Sequence, residues 1–511
     1  MRHAQDCAFL TKAIALVFIR MLYSQWCVAR INSGVSLISQ QRIIHNIAMR
    51  CTQLEEGFFL MNPQPDENSR IKLSDHFTYG RLIRFVAPCI VMMMFTSIYG
   101  VIDGLFVSNF VGKTPFAAVN LIIPFLMILG AIGFMVGTGG AAIVGKTLGE
   151  KQDDLANESF SMFIYVLIAS GVLILILGFV FIKPVAGIIG AKGELLRYAL
   201  IYGRICLLSM PFFMLQETFQ MFFITAEKPK LGLYVIVIAG VGNIVFDALF
   251  IVVFHWGIVG AAVATALSEC LGGGIPIIYF LRKNDSLLRL VKTKMRWRIL
   301  GKGCVNGCSE FVSSIAASVV GMLFNWQLLR IAGEDGVAAY GVIMYVCFLF
   351  LAMFAGYQMG SAPLFSYNLG AENHAEMKNL FRKSIVLMIG SGIVMFILPE
   401  LLSVPLSKIF VGYDEALYHM TLRGLRIYVI AFVLCGYNIF SSSLFTALNN
   451  GVISAIISFS RVIIFECGFV IVLPIFLGLD GVWLTFLCTE IVTMIMSTIF
   501  IMKYKNRYHY L

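Results

Sequence analysis

Long apolar blocks alternate with short polar stretches from about residue 80 to the end of the chain. Twelve can be drawn, approximately 82–110, 116–146, 159–182, 195–223, 232–254, 257–281, 303–330, 337–366, 384–403, 415–446, 452–474 and 481–502. Phe85 to Phe110 carries one charge and Phe160 to Ile182 carries none. Each is longer than the roughly 20 residues with which a helix crosses a hydrocarbon core of about 30 Å. The pattern predicts an all-α polytopic membrane protein with twelve transmembrane helices, spans 1 to 12 in chain order.

The blocks are written twice. Under a shift of 221 positions Gly80 meets Gly301, Gly100 meets Gly321, Gly112 meets Gly333 and Gly139 meets Gly360. Leu148–Gly149 meets Leu369–Gly370, Pro184 meets Pro405, Thr225–Ala226 meets Thr446–Ala447, and Glu269 meets Glu490. Membrane composition produces chance matches of Gly and Ala, but not one ungapped offset held along the chain. Six spans per copy is an even number, so the two repeats should be parallel and related by an axis along the membrane normal. Two lobes around a central cavity are the expected result, with substrate held between them and exposed to each side in turn.

Composition agrees. Hydrophobic residues are 59% of the 511 and charged ones 13%, more apolar surface than a soluble domain can hide. A net charge of +10 could suit nucleic acid, but Arg282, Lys283, Arg289, Lys292, Lys294, Arg296, Arg298 and Lys302 crowd between spans 6 and 7. The charge therefore reads as topology: both termini and the central loop cytoplasmic, in a cell (inner or plasma) membrane, with no nucleic-acid partner. Of the 12 Cys most lie inside spans, and Cys304 and Cys308 have no His nearby, so neither disulfides nor a metal centre is expected.

These limits give the domain plan. Residues 1–60 do not resemble the remainder of the chain and read as an upstream extension, with Met61 as the expected true start. Residues 61–81 form a cytoplasmic tail, 82–282 the amino-terminal lobe, 283–302 the basic linker, 303–503 the carboxy-terminal lobe, and 504–511 a second tail.

One stretch breaks the apolar rule. GNIVFDALFIVV, at 242 to 253, places Asp247 amid apolar side chains. An Asp near mid-span costs about 2.5–3.5 kcal/mol on insertion scales, so such residues face an interior cavity. Asp247 lies nine residues before Trp256 and Thr265 nine after it, which puts both roughly 13 Å below the outer end at 1.5 Å per residue. Asn243 shares the helical face of Asp247. Asp103 and Tyr202 lie about ten residues from their own outer loops. Asp103, Tyr202, Asn243, Asp247 and Thr265 thus converge on one level of the first half. Two carboxylates there repel each other if both are ionised, so the pair suits a proton or an oxygen-seeking hard cation such as Na⁺ at Asp103, Asn243 and Asp247. In the second half the matching positions are Phe324, Arg423, Ile464, Gly468 and Phe486. The scaffold was duplicated and the polar set was not, which reads as function. Glu269 and Glu490, kept in both copies, read as structural.

FVAP…VIDGLFVSNFVG in span 1, AAIVGKTLGE closing span 2, GNIVFDALF in span 5 and GIVGAAVATALSE in span 6 closely resemble the multidrug and toxic compound extrusion (MATE) family. The resemblance covers essentially 70 to 505 and is to prokaryotic members with the cation site in the amino-terminal lobe. It implies that Asp103, Tyr202, Asn243, Asp247 and Thr265 form that site, and that Pro88, fifteen residues before Asp103, is the hinge of span 1. A second acidic cluster found in some branches is not carried over, because spans 7 and 8 offer Glu310 and Asn325 but no mid-span Asp.

The resemblance implies a secondary antiporter, not an enzyme: inward H⁺ or Na⁺ exchanged for an amphipathic, often cationic, organic molecule moving out (multidrug efflux, a route to antibiotic resistance). No cofactor is expected, and the partners are the small-molecule substrate, the coupling ion and the bilayer, with a monomer as default. Flexible Met side chains suit a cavity that repacks around many shapes, and Met92, Met93, Met94, Met127 and Met135 of spans 1 and 2 are candidates for its lining. Glu217 in span 4 is a further candidate for substrate or proton handling. Two rival readings are a lipid-linked saccharide flippase of the same superfamily and an intramembrane enzyme. Mid-span cations are few for the first, and no nucleophile, phosphate loop or metal-ligand pair supports the second.

Overall fold

Three of the helices contain a wider π-helical turn, and each turn follows or contains an ionisable residue. In the computed structural model, which describes residues 71–412 and 414–511, spans 1, 5 and 11 carry such turns at Val107–Val111, Ala248–Val253 and Ser460–Glu466. The first begins four residues after Asp103, the second directly after Asp247, and the third contains Arg461 and Glu466. A π turn re-aims the side chains beyond it and is common where a helix serves a site. The extension 1–60 and the start of the tail lie outside the described residues.

Among the described residues the chain is helical, without strands. Spans 1 to 6 are Tyr79–Val111, Lys113–Gly149, Asp153–Ile188, Gly193–Thr225, Pro229–Val253 and Ile258–Leu281. Spans 7 and 8 are the two arms of Trp297–Gly370, which turns at Gly333 (φ 65, ψ −152). A straight helix of 74 residues would measure about 110 Å, several membrane thicknesses. A side chain at Gly333 would be strained at that positive φ. Span 9 is His374–Val411, span 11 Gly451–Leu477 and span 12 Leu479–Tyr508. Span 10, expected as one helix, is bent by 48° between Glu415–Val429 and Phe432–Ala447. The helices run a turn or two past most apolar blocks, because polar residues at the ends remain helical beyond the hydrocarbon. Span 3 turns Leu173, Ile176 and Val180 outward, as a lipid-facing helix should.

The two halves meet along span 2 and the arms of Trp297–Gly370. A Cβ on Gly149 would collide with the backbone of Tyr367 and Ala371, and one on Gly370 with the backbone of Lys146 and Glu150. These partners exchange under a shift of 221. Higher up, Gly139 lies on Gly303 and Gly307 of span 7, while Gly356 and Gly360 of span 8 lie on Val86, Cys89 and Ile90 of span 1. Small residues let backbones approach in lipid, where packing rather than the hydrophobic effect drives association. These crossings lie between the middle of the spans and the end that carries both tails and the basic linker. Toward the opposite end Ile98, Val101 and Leu105 of span 1 and Met322, Trp326 and Leu329 of span 7 are exposed.

At the basic end the tail straps the halves together. Leu73 N–H donates to Glu227 Oε1 (2.6 Å) in the turn between spans 4 and 5. Phe77 N–H donates to Glu376 Oε1 (2.9 Å) at the start of span 9, and His76 Nδ1 lies 2.6 Å from Glu376 Oε2. The Phe77 carbonyl accepts from Asn379 (3.0 Å) and Lys383 (2.7 Å). Glu376 is 5% exposed, so Glu376→Ala leaves the Phe77 amide without its acceptor. A loss of about 1–3 kcal/mol in docking of the strap is expected, visible as faster proteolysis around residues 71–78 with the rest of the chain intact.

Candidate cation-coupling site

Glycines bring the four helices of the site together. Gly240 of span 5 has the rings of Phe95 and Tyr99 of span 1 where a Cβ would stand, 2.6 and 2.8 Å away. Spans 1 and 5 run in the same direction, so Asp103, one turn beyond Tyr99, and Asp247, two turns beyond Gly240, also face each other, side chain to side chain. On spans 4 and 6, Gly272 receives the Gln216 side chain and Gly273 the Phe212 backbone. Further toward the other end of the same two helices, Thr265 stands beside Tyr202. Tyr202 in turn lies within electrostatic range of Asp103. The structure therefore gathers Asp103, Tyr202, Asp247 and Thr265, with Asn243 one turn before Asp247 on the same helix.

The defining feature of the cluster is its unused oxygens. Asp247 has no exposed surface, Asn243 is 2% exposed and Tyr202 3%. Among the described residues, Asp103 Oδ1, Asn243 Oδ1, both carboxyl oxygens of Asp247 and Thr265 Oγ1 are buried without a hydrogen-bond partner. A buried polar atom left unpaired costs about 1–3 kcal/mol, more when charged. An oxygen-only set of this kind is chemically suited to protons or to a small hard cation.

Glu269 belongs to the same cluster, although its sequence context pointed elsewhere. It stands beside Asp103 and Ser209, and its Oε2 is also without a partner. Tyr99 and Glu217 lie within its electrostatic range. Its occurrence in both repeats suggests structure. The copies are held differently, however. Glu490, fully buried, accepts from Arg461 Nε (2.9 Å) and Nη2 (2.5 Å), and from Asn438 Nδ2 (2.6 Å). Shifted by 221 positions, Arg461 becomes Gly240 and Asn438 becomes Glu217. The second half carries its own tethered cation against this glutamate, and the first half does not. Arg461 thus pairs with Glu490 across helices rather than with Glu466 on its own helix. Arg461→Ala leaves Glu490 as an uncompensated buried charge. Thermal unfolding of the purified protein should show a loss on the order of 3–5 kcal/mol, with no comparable loss for Arg423→Ala at the exposed pair with Asp480.

The remaining sequence candidates are spread more widely. Pro88 is buried where span 1 packs on Gly356 and Gly360; lacking an N–H, it removes one helix hydrogen bond at that crossing. Met92 is packed at 1% exposure, Met127 is exposed on span 2, and Met135 lines a groove with spans 7 and 11. The methionines that do line the cavity between the halves are Met93, Met221 and Met359. One residue along span 1 is a rotation of about 100°, which composition does not resolve. Glu217 reaches that cavity from span 4.

Comparison with known proteins gives the family and the fold. The family model described as MatE matches the chain twice, over residues 88–249 and 311–471, once in each half. The multidrug export protein MepA of Staphylococcus haemolyticus is 28% identical over 310 residues, 60% of this chain and 68% of that protein. MepA of Staphylococcus aureus is 26% identical over 378 residues, 73% of this chain and 82% of the relative. A solved structure titled as the outward-facing conformation of a multidrug resistance MATE family transporter of the MOP superfamily superposes with a TM-score of 0.79. Its identity is 21%, over 83% of this chain and 95% of that one. Another, titled as MATE in the bent conformation, gives a TM-score of 0.78 at 21% identity, over 85% and 98%.

Proposed function

The chain belongs to the MatE family, and from that premise we propose that it is a secondary antiporter of the cell membrane. It exports amphipathic, often cationic, organic compounds in exchange for H⁺ or Na⁺ moving inward. The multidrug export named for its staphylococcal relatives supports the cargo class. The observation that carries the coupling is the set of partnerless buried carboxyl oxygens of Asp103, Asp247 and Glu269, which among the described residues occurs in the first half only.

In this reading the basic end is cytoplasmic and the conformer is closed there, by the Gly149 and Gly370 crossings and the strap of residues 73–78. The cargo path opens outward between spans 1 and 7. Cation entry at Asp103, Asn243, Asp247 and Thr265, with Tyr202 and Glu269 beside them, neutralises a set of mutually repelling groups. Drawing span 1 toward span 5 in this way bends it at Pro88, where a hydrogen bond is already missing. The bend alters the span 1–span 8 crossing at Gly356 and Gly360 and makes the cavity smaller, so the cargo leaves. Coupling requires the cation and the cargo to favour different states, and a cation site confined to one half supplies that asymmetry.

Uptake of a fluorescent cationic dye into everted vesicles carrying the protein, whose cytoplasmic face points outward, tests this. An imposed proton or sodium gradient should accelerate dye movement, and its collapse by an ionophore should stop it. Dye movement that ignores both gradients, or that requires a nucleotide, would remove the antiporter reading.

A further inference from the structure

At the meeting of the two halves lies a cavity of about 110 Å³ that holds one carboxylate from each. Glu217 comes from span 4 and Glu310 from span 7. Each is braced by a glutamine: Gln220 Nε2 donates to Glu217 Oε2 (3.1 Å), and Gln358 Nε2 donates to Glu310 Oε1 (3.0 Å). The lining contains no Lys, Arg or His. Its wall is apolar and soft: Met93, Met221, Met359 and Phe134.

We propose that Glu217 and Glu310 together bind the positively charged head of the cargo, an alkylated ammonium, phosphonium or amidinium group, across the line where the halves meet. This rests on the antiporter reading above and adds to it a cargo site distinct from the coupling cluster. Two carboxyl groups facing one cavity without a basic residue are balanced either by protons or by one positive guest that displaces them. A volume of about 110 Å³ exceeds that of a bare ion and of a single water, which takes about 30 Å³. Thioether and aromatic walls favour a guest with carbon around its charge over a strongly hydrated metal ion. The amide braces occupy one oxygen of each acid and fix its direction.

The placement also explains exchange. Glu217 lies within electrostatic range of Glu269, and Glu269 within range of Asp103. A cationic head at Glu217 and a cation at Asp103 and Asp247 therefore oppose each other, so each entry weakens the other. Because Glu217 and Glu310 belong to opposite halves, the change of state that makes the cavity smaller also disturbs the pair that holds the head.

Tetraphenylphosphonium and the neutral dye Nile red, titrated into the purified full chain in nanodiscs, test the assignment. Glu217→Gln and Glu310→Gln should each weaken phosphonium binding about tenfold, the scale of one lost charge-assisted contact. Nile red binding should not change. Glu217→Asp and Glu310→Asp should recover most of the loss, and Arg423→Ala, at an exposed ion pair outside both sites, should bind phosphonium like the unmodified chain. Equal phosphonium affinity in the glutamine variants would overturn the site. So would a parallel loss of both probes, which would make the acids structural, or gradient-driven exchange lost with binding intact, which would make them coupling groups. If the unmodified chain bound no phosphonium at all, the export reading itself would fall first.

Discussion

Asp247→Asn should abolish gradient-driven export while leaving a folded protein in the membrane. Asp247 is fully buried, and neither carboxyl oxygen has a hydrogen-bond partner among the described residues. An amide of the same shape removes the negative charge without opening a cavity or taking a donor from a neighbour, so stability should hold or rise. On the proposed antiport, what disappears is the group whose neutralisation drives the change of state. Asp103→Asn should act alike, since the two carboxyl groups face each other. A fall of about a hundredfold in cation-driven dye efflux is expected, near the upper end of ordinary coupling free energies. Membrane yield and thermal unfolding should match the unmodified chain. Loss of yield together with activity would instead assign the pair to folding.

Gly370→Leu should have an effect of similar size by another route. No Cβ fits at Gly370, because the backbone of Lys146 and Glu150 in the other half occupies the place. Backbone cannot rotate away as a side-chain tip can, so the two halves must part at the basic end. The closed arrangement there should lose several kcal/mol, at the upper end of what overpacking costs, and the population should move to the conformer open on that side. Spin labels at the basic ends of spans 2 and 8 would report a longer distance, and dye export would fall without any change at the cation site. Gly149→Leu should give the same result from the opposite half, through Tyr367 and Ala371. An unchanged distance distribution in both variants would mean that these crossings do not form the closure. Gly321→Leu, in open space on span 7, is the control.

Much of this was legible in the sequence, because membranes impose simple rules. The apolar blocks placed all twelve spans, and Gly112 and Gly333, matched in the repeat, mark turns with positive φ in both halves. Asp103 and Asp247 stood out because a charge in a span is expensive, and depth counting along straight helices was enough to bring them level. Three things were hidden. Span 10 bends between Val429 and Phe432 where the apolar text is unbroken. Glu269 looked structural because Glu490 repeats it, and only the positions of Arg461 and Asn438 against Glu490 show that the copies differ. The choice of Met93 over Met92 for the cavity wall turns on helical phase after a proline, which composition does not encode.

The central claim is thermodynamic coupling between cargo and cation, and it is reciprocal. Proteoliposomes loaded with a slowly permeant organic cation, and diluted into medium without it, contain no H⁺ or Na⁺ gradient at the start. Downhill exit of the cargo should drive H⁺ or Na⁺ inward against its own gradient, seen with an internal pH or sodium dye, and Asp247→Asn should abolish that uptake. Cargo exit with no cation movement in the unmodified protein would contradict the account.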